Sequence, residues 1–129
     1  MKFFKKAMTG VAATVVCLSL AAVNASADTQ STPAPGYGTL TGKLHGGVQY
    51  DTWISQNPDN AYLTTVRTIQ DKNGKTIASG GLEKSNRGET WFVTMWDWTP
   101  MDSYAVYGTH GVQGGTKYGA KAVYTYTHI

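Results

Sequence analysis

Carboxylates are the first residues of this chain whose types could do chemistry. Glu89 and Asp97 share parity along the stretch Glu89-Thr-Trp-Phe-Val-Thr-Met-Trp-Asp-Trp-Thr-Pro100. An extended chain holds them roughly 26 Å apart, well beyond the separation of about 10 Å within which two carboxyl groups can share a glycosidic bond. Asp97 and Asp102 flank a reversal over 99–101 and are expected to cap that turn and keep it soluble. The histidines His45, His110 and His128 each fall at or near a predicted strand end. Gathered at one rim they could hold zinc or pair a base with a serine. The nearest pair, His110 and His128, is 18 residues apart, and none has a ligand-like spacing to a carboxylate. Surface histidines and no metal site are therefore expected. No serine sits in a Gly-x-Ser-x-Gly motif, and the glycine-rich run 111–119 lacks the Gly-Lys-Ser/Thr ending of a phosphate loop. Asp71-Lys72-Asn73-Gly74 has the start of a calcium loop without its remaining acidic ligands, and reads as a hairpin turn. The expectation is a non-enzymatic protein without a cofactor.

Aromatic side chains are the more informative group. The chain carries four tryptophans and eight tyrosines, three of the tryptophans within residues 89–100. A small core has use for large aromatic area, but tryptophan and tyrosine also stack on sugar faces and anchor protein interfaces. Read with period two, the tryptophan segment presents Trp91, Val93 and Met95 on one face and Phe92, Thr94, Trp96 and Trp98 on the other. It is expected to form a long central strand ended by Pro100, which cannot donate to a ladder. Trp96 and Trp98 should then stand about 7 Å apart on one face. With Tyr104 beside them, and Tyr124 and Tyr126 on a neighbouring terminal strand, they form the expected ligand-binding patch.

The elements that must position this patch lie downstream of a leader. Residues 1–27 have the pattern of a cleaved secretory signal: Lys2, Lys5 and Lys6, an apolar run, then Ala25-Ser26-Ala27. The formal charge of +3 comes from 11 basic and 8 acidic residues, and three of the basic ones lie in the leader, so residues 28–129 carry 8 of each. This balance gives no basic footprint for nucleic acid or for an anionic membrane. The only cysteine, Cys17, lies inside the apolar run, so the remaining chain has no thiol or disulfide chemistry. Export from a bacterium, Gram-positive by this reading, with no stable membrane insertion after cleavage, is the expectation.

Residues 28–36 contain two prolines and no aliphatic side chain larger than alanine, and are expected to be a flexible tail. From residue 37 to 129, short alternating runs recur between turn signals, clearest where Leu63, Thr65, Arg67 and Ile69 alternate with Tyr62, Thr64, Val66 and Thr68. An all-β, single-domain β-sandwich of about seven antiparallel strands fits best, with a small β-barrel as runner-up. The function expected of it is a secreted binding domain for a cell-envelope glycan or an extracellular protein partner. A secreted effector, either bacteriocin-like or an inhibitor of an extracellular enzyme, is the alternative.

Overall fold

A computed structural model describes residues 27–46 and 48–128. The strands are β1 (Ala27–Ala34), β2 (Gly38–His45), β3 (Gln49–Ile54), β4 (Tyr62–Gln70), β5 (Thr76–Lys84), β6 (Trp91–Met95), β7 (Ala105–Gln113) and β8 (Lys121–His128). Alternation decides which side chains turn inward. Leu40 and Leu44 on β2, Tyr50, Thr52 and Ile54 on β3, Leu63, Thr65 and Ile69 on β4, and Val106, His110 and Val112 on β7 are all buried. Two four-stranded antiparallel sheets, ordered β1-β2-β3-β6 and β5-β4-β7-β8, pack as a sandwich that is not closed into a barrel.

The Asp71 turn forms as its local sequence dictates. Asp71 Oδ1 accepts the amides of Asn73 and Lys75 at 2.9 and 3.0 Å, and Gly74 takes φ 85°. Only Gly74, and not Asn73, adopts a positive φ there.

Several boundaries differ from those expected. The residues read as a tail from 28 onward form strand β1 as far as Ala34, which adds an eighth strand among the described residues. An edge strand needs a ladder on one side only, so small polar side chains suffice and the missing donor of Pro33 is tolerated. The expected leader lies outside the described residues except for Ala27. The glycines at 80 and 81 continue β5 as a bulge: Arg67 pairs with Gly81 and Thr68 with Ser79, leaving Gly80 unpaired.

The tryptophan segment is not central either. β6 is a five-residue edge strand that stops at Met95, well before Pro100. Its last ladder bond runs from the Trp96 amide to the Val48 carbonyl, 3.0 Å. The Trp96 side chain then packs against the core cluster of Leu44, Tyr50, Ile69 and Val106, so the chain leaves the extended path before Trp98.

The core is divided. One apolar cluster contains Tyr37, Leu40, Ile54, Leu63, Val112 and Val123; the Leu44 cluster is the other. Between them lies a polar belt. His110 Nδ1 is 3.0 Å from the Thr52 hydroxyl and Nε2 is 2.8 Å from that of Thr125, while the Thr52 and Thr65 hydroxyls are 3.3 Å apart. Thr52 belongs to one sheet and the other members to the second, so the belt bonds sheet to sheet. His110 is fully buried and not on the surface as expected. Burial holds its pKa down at about 4, against a smaller upward pull from Asp51. The imidazole fits because Gly42 faces it: a Cβ there would lie 2.3 Å from His110 Cγ.

Candidate functional site

The two open ends of each sheet bring four edge strands to the flanks of the sandwich, and the flanks differ. On one, the Asp28 carboxylate of β1 accepts the Tyr126 amide of β8 at 2.9 Å and ties the edges together. On the other, the bridge between β5 and β6 is made chiefly by the Arg67 side chain. Arg67 points inward from β4, the strand next to β5, and is 9% exposed. Its Nη1 donates to the Met95 carbonyl, its Nη2 donates to Glu83 Oε2 at 2.7 Å, and its guanidinium carbon lies 4.5 Å from the centre of the Trp96 ring. Nε has no partner. A Cβ at Gly80 would stand 3.1 Å from that nitrogen, so a glycine there leaves the guanidinium room, while the nitrogen itself is shut off from solvent.

A groove of about 400 Å³ opens here, lined among others by Arg67, Ile77, Ser79, Met95, Asp97 and Trp98. Trp96 is its structural wall. The indole N–H donates to the Tyr50 hydroxyl at 3.0 Å. Burial pushes the Tyr50 phenol up to about 12, although the Trp96 bond and the Arg67 charge pull it down, so it stays a neutral acceptor. Trp98 is the lip of the groove, 72% exposed. The structure thus brings Trp96 and Trp98 to one groove in unequal roles, one packed and hydrogen-bonded, the other presented to solvent.

The remaining residues expected in the patch gather elsewhere, around the outer face of the sheet formed by β5, β4, β7 and β8. The Tyr104 and Tyr126 rings lie 4.5 and 5.5 Å from the ring of His128, and Tyr126 lies 4.9 Å from Tyr107, its register partner. Tyr124, 67% exposed, projects two residues before Tyr126 on the same face. Burial raises the phenol pKa values of Tyr107 and Tyr126, the latter also through its tyrosine neighbours. Sequence reasoning missed Tyr107, because its pairing with Tyr126 is set by strand register. It also missed the role of Arg67, although a charge at inward parity between Thr65 and Ile69 was the available signal.

The side chains weighed for catalysis stay apart. Glu89, Asp97 and Asp102 are exposed. His45 Nε2 is 3.3 Å from Asp51 Oδ2 but is not aligned to hydrogen-bond it. His110 is in the core, and His128 lies among tyrosines. Among the described residues no three histidine, cysteine, aspartate or glutamate side chains gather as a metal site.

One carboxylate is strongly perturbed, and its geometry is that of a clamp. Asp59 accepts the amides of Lys117 and Tyr118 at 2.9 and 3.0 Å, the Thr116 hydroxyl at 3.2 Å and the Tyr37 hydroxyl at 3.1 Å. Desolvation acts to raise its pKa, but the bonds from Tyr118, Lys117, Thr116 and Tyr37 prevail and hold it at about 2. Thr116, Lys117 and Tyr118 lie in the β7–β8 loop and Tyr37 just before β2, so this charge fixes that loop to the body of the sandwich. Compared with protein-family models, with curated proteins and with solved structures, the chain finds no match.

Proposed function

We propose that this chain is an exported, non-enzymatic binding domain that holds a neutral cell-envelope glycan against Trp98 at the open flank of the sandwich. The observation that carries the reading is the pairing of a 72% exposed indole with a groove that Ser79 and Asp97 line with polar groups. Sugars present a flat C–H face that stacks on indole and a rim of hydroxyls that must each find a donor or acceptor. Trp98 offers the first, while the Ser79 hydroxyl, as donor or acceptor, and the Asp97 carboxylate, as acceptor, offer the second. Charge favours a neutral ligand over an acidic one. Arg67 is already matched by Glu83 at 2.7 Å, and Asp97 adds a further negative group. The leader pattern at residues 1–27 supports delivery to the envelope.

Binding of the purified protein to cell-wall glycan and to a panel of neutral oligosaccharides tests this, with Trp98→Ala alongside. The variant should lose about fivefold or more in affinity, corresponding to more than about 1 kcal/mol, with an unchanged melting temperature. Absence of saccharide binding, or binding that Trp98→Ala leaves intact, refutes the reading. A large fall in melting temperature would assign the indole to folding instead.

A further inference from the structure

The four edge strands are not equally protected. A sheet edge offers unpaired N–H and C=O groups, and proteins blunt it with charge, proline, bulges or a covering contact. β1 carries Pro33 and Asp28, and its Asp28 reaches over to occupy the Tyr126 amide on β8. β8 begins with Lys121. β5 is interrupted by the Gly80 bulge and carries Glu83 and Lys84. β6 has no charge, proline or bulge, and Arg67 covers it only at its Met95 end. From Thr90 to Trp96 it reads Thr-Trp-Phe-Val-Thr-Met-Trp, with no charge, proline or glycine, and its pairing with β3 is unbroken. A short β-prone segment of low charge on an exposed edge is a template for another strand.

The ladder shows which groups are offered. Ile54 N–H bonds to the Thr90 carbonyl and Trp96 N–H to the Val48 carbonyl, so the even-numbered residues of β6 face β3. The backbone groups of Trp91, Val93 and Met95 therefore face outward. Arg67 caps the Met95 carbonyl, which leaves Trp91 and Val93 open. Their side chains are 61% and 36% exposed on the outer face of the sheet.

We propose that β6 pairs antiparallel with β6 of a second copy of this chain, about a two-fold axis beside Phe92. In that register Trp91 of each copy lies opposite Val93 of the other. Both pairs exchange N–H···O=C bonds through the open groups only, and the Arg67 cap on Met95 stays in place. Phe92 meets Phe92, and each Trp91 packs on a β-branched neighbour, a favourable cross-strand combination. The absence of charge between Thr90 and Trp96 means that a second copy brings no like charge opposite, so the segment is complementary to itself. One added strand pair makes a small interface, and the dimer is correspondingly weak and reversible.

Sedimentation equilibrium of the full chain, from about 10 μM to about 1 mM, tests the proposal. The mass should rise with concentration towards twice the 13.9 kDa of the chain. Val93→Lys places a charge on the outer face beside the open backbone groups, and should raise the dimer dissociation constant at least tenfold. Tyr124→Lys places the same charge on the outer face of the other sheet and should leave the constant unchanged. Circular dichroism of each variant establishes that both are folded. A chain that stays monomeric up to about 1 mM overturns the proposal. So does self-association that Val93→Lys does not weaken, or association into open-ended polymers in place of a two-fold dimer.

Discussion

Lowering the pH should destabilise this sandwich through His110. The imidazole titrates near 6.5 in an unfolded chain and at about 4 in the fold, because burial disfavours its charged form. Between those values the unfolded chain binds more protons than the folded one. Stability from this group is therefore complete above about pH 6.5 and is lost progressively as pH falls through 4. Each unit of separation is worth about 1.4 kcal/mol, so the loss across the window is about 3 kcal/mol. A small domain is stable by only about 5–15 kcal/mol, which makes this a large share. Urea unfolding followed by tryptophan fluorescence at pH 7, 6, 5 and 4 measures it, and the Cε1–H proton resonance of His110 gives its pKa in the folded state directly. In His110→Gln, which keeps a donor and an acceptor between Thr52 and Thr125 but does not titrate, the pH slope in this window should flatten. An unfolding midpoint that stays constant from pH 7 to 4, or an equal slope in the variant, refutes the assignment of the belt as a neutral buried histidine.

The space beside His110 gives a second test: Gly42→Ala puts a methyl group 2.3 Å from His110 Cγ and should cost about 1–3 kcal/mol, seen as a lower urea midpoint. A neutral result would mean that the imidazole can move aside. Asp59→Asn should release the β7–β8 loop, read as faster amide exchange at Lys117 and Tyr118 with the rest of the sandwich protected. In the parent chain the same clamp is complete above about pH 4, the ordinary carboxylate range, and is lost as pH falls through about 2, below the His110 window. Unchanged exchange at those two amides would count against the clamp.

Local chemistry was legible in the sequence, and non-local pairing was not. The Leu63, Thr65 and Ile69 alternation and the Asp71 turn depend on neighbours in the chain, and both form where the sequence places them. The all-β sandwich followed from the same periodicity. By contrast, β1 has no apolar pattern because its ordering comes from backbone pairing to β2. β6 was expected to be central because both its faces are apolar. In the fold the inner face packs, while the outer face stays exposed on an edge strand. His110 could not be assigned to the interior without knowing that Gly42 faces it from the other sheet. The expected patch divided for a similar reason. Parity along one strand placed Trp96 with Trp98, but the strand stops at Met95, and the tyrosines belong to a register between β7 and β8.

The position of the site follows from an asymmetry between the flanks. Where β1 meets β8, the Asp28 carboxylate satisfies an outward amide and joins the edges. Where β5 meets β6, the joining group is a buried guanidinium, which is far more demanding. A buried charge must be paired and its donors satisfied, or the group destabilises the fold. Arg67 meets most of that demand with Glu83, the Met95 carbonyl and the face of Trp96, three partners drawn from two sheets, and leaves Nε unpaired. They hold Trp96 inward as a wall and cap one end of the β6 edge, while the Gly80 bulge keeps a side chain away from Nε. The one donor left without a partner, Nε, is itself shut off from solvent. The Arg67 cap sets which part of β6 stays open for pairing. Arg67 lines the groove and bounds the open part of the β6 edge, so both lie on this flank.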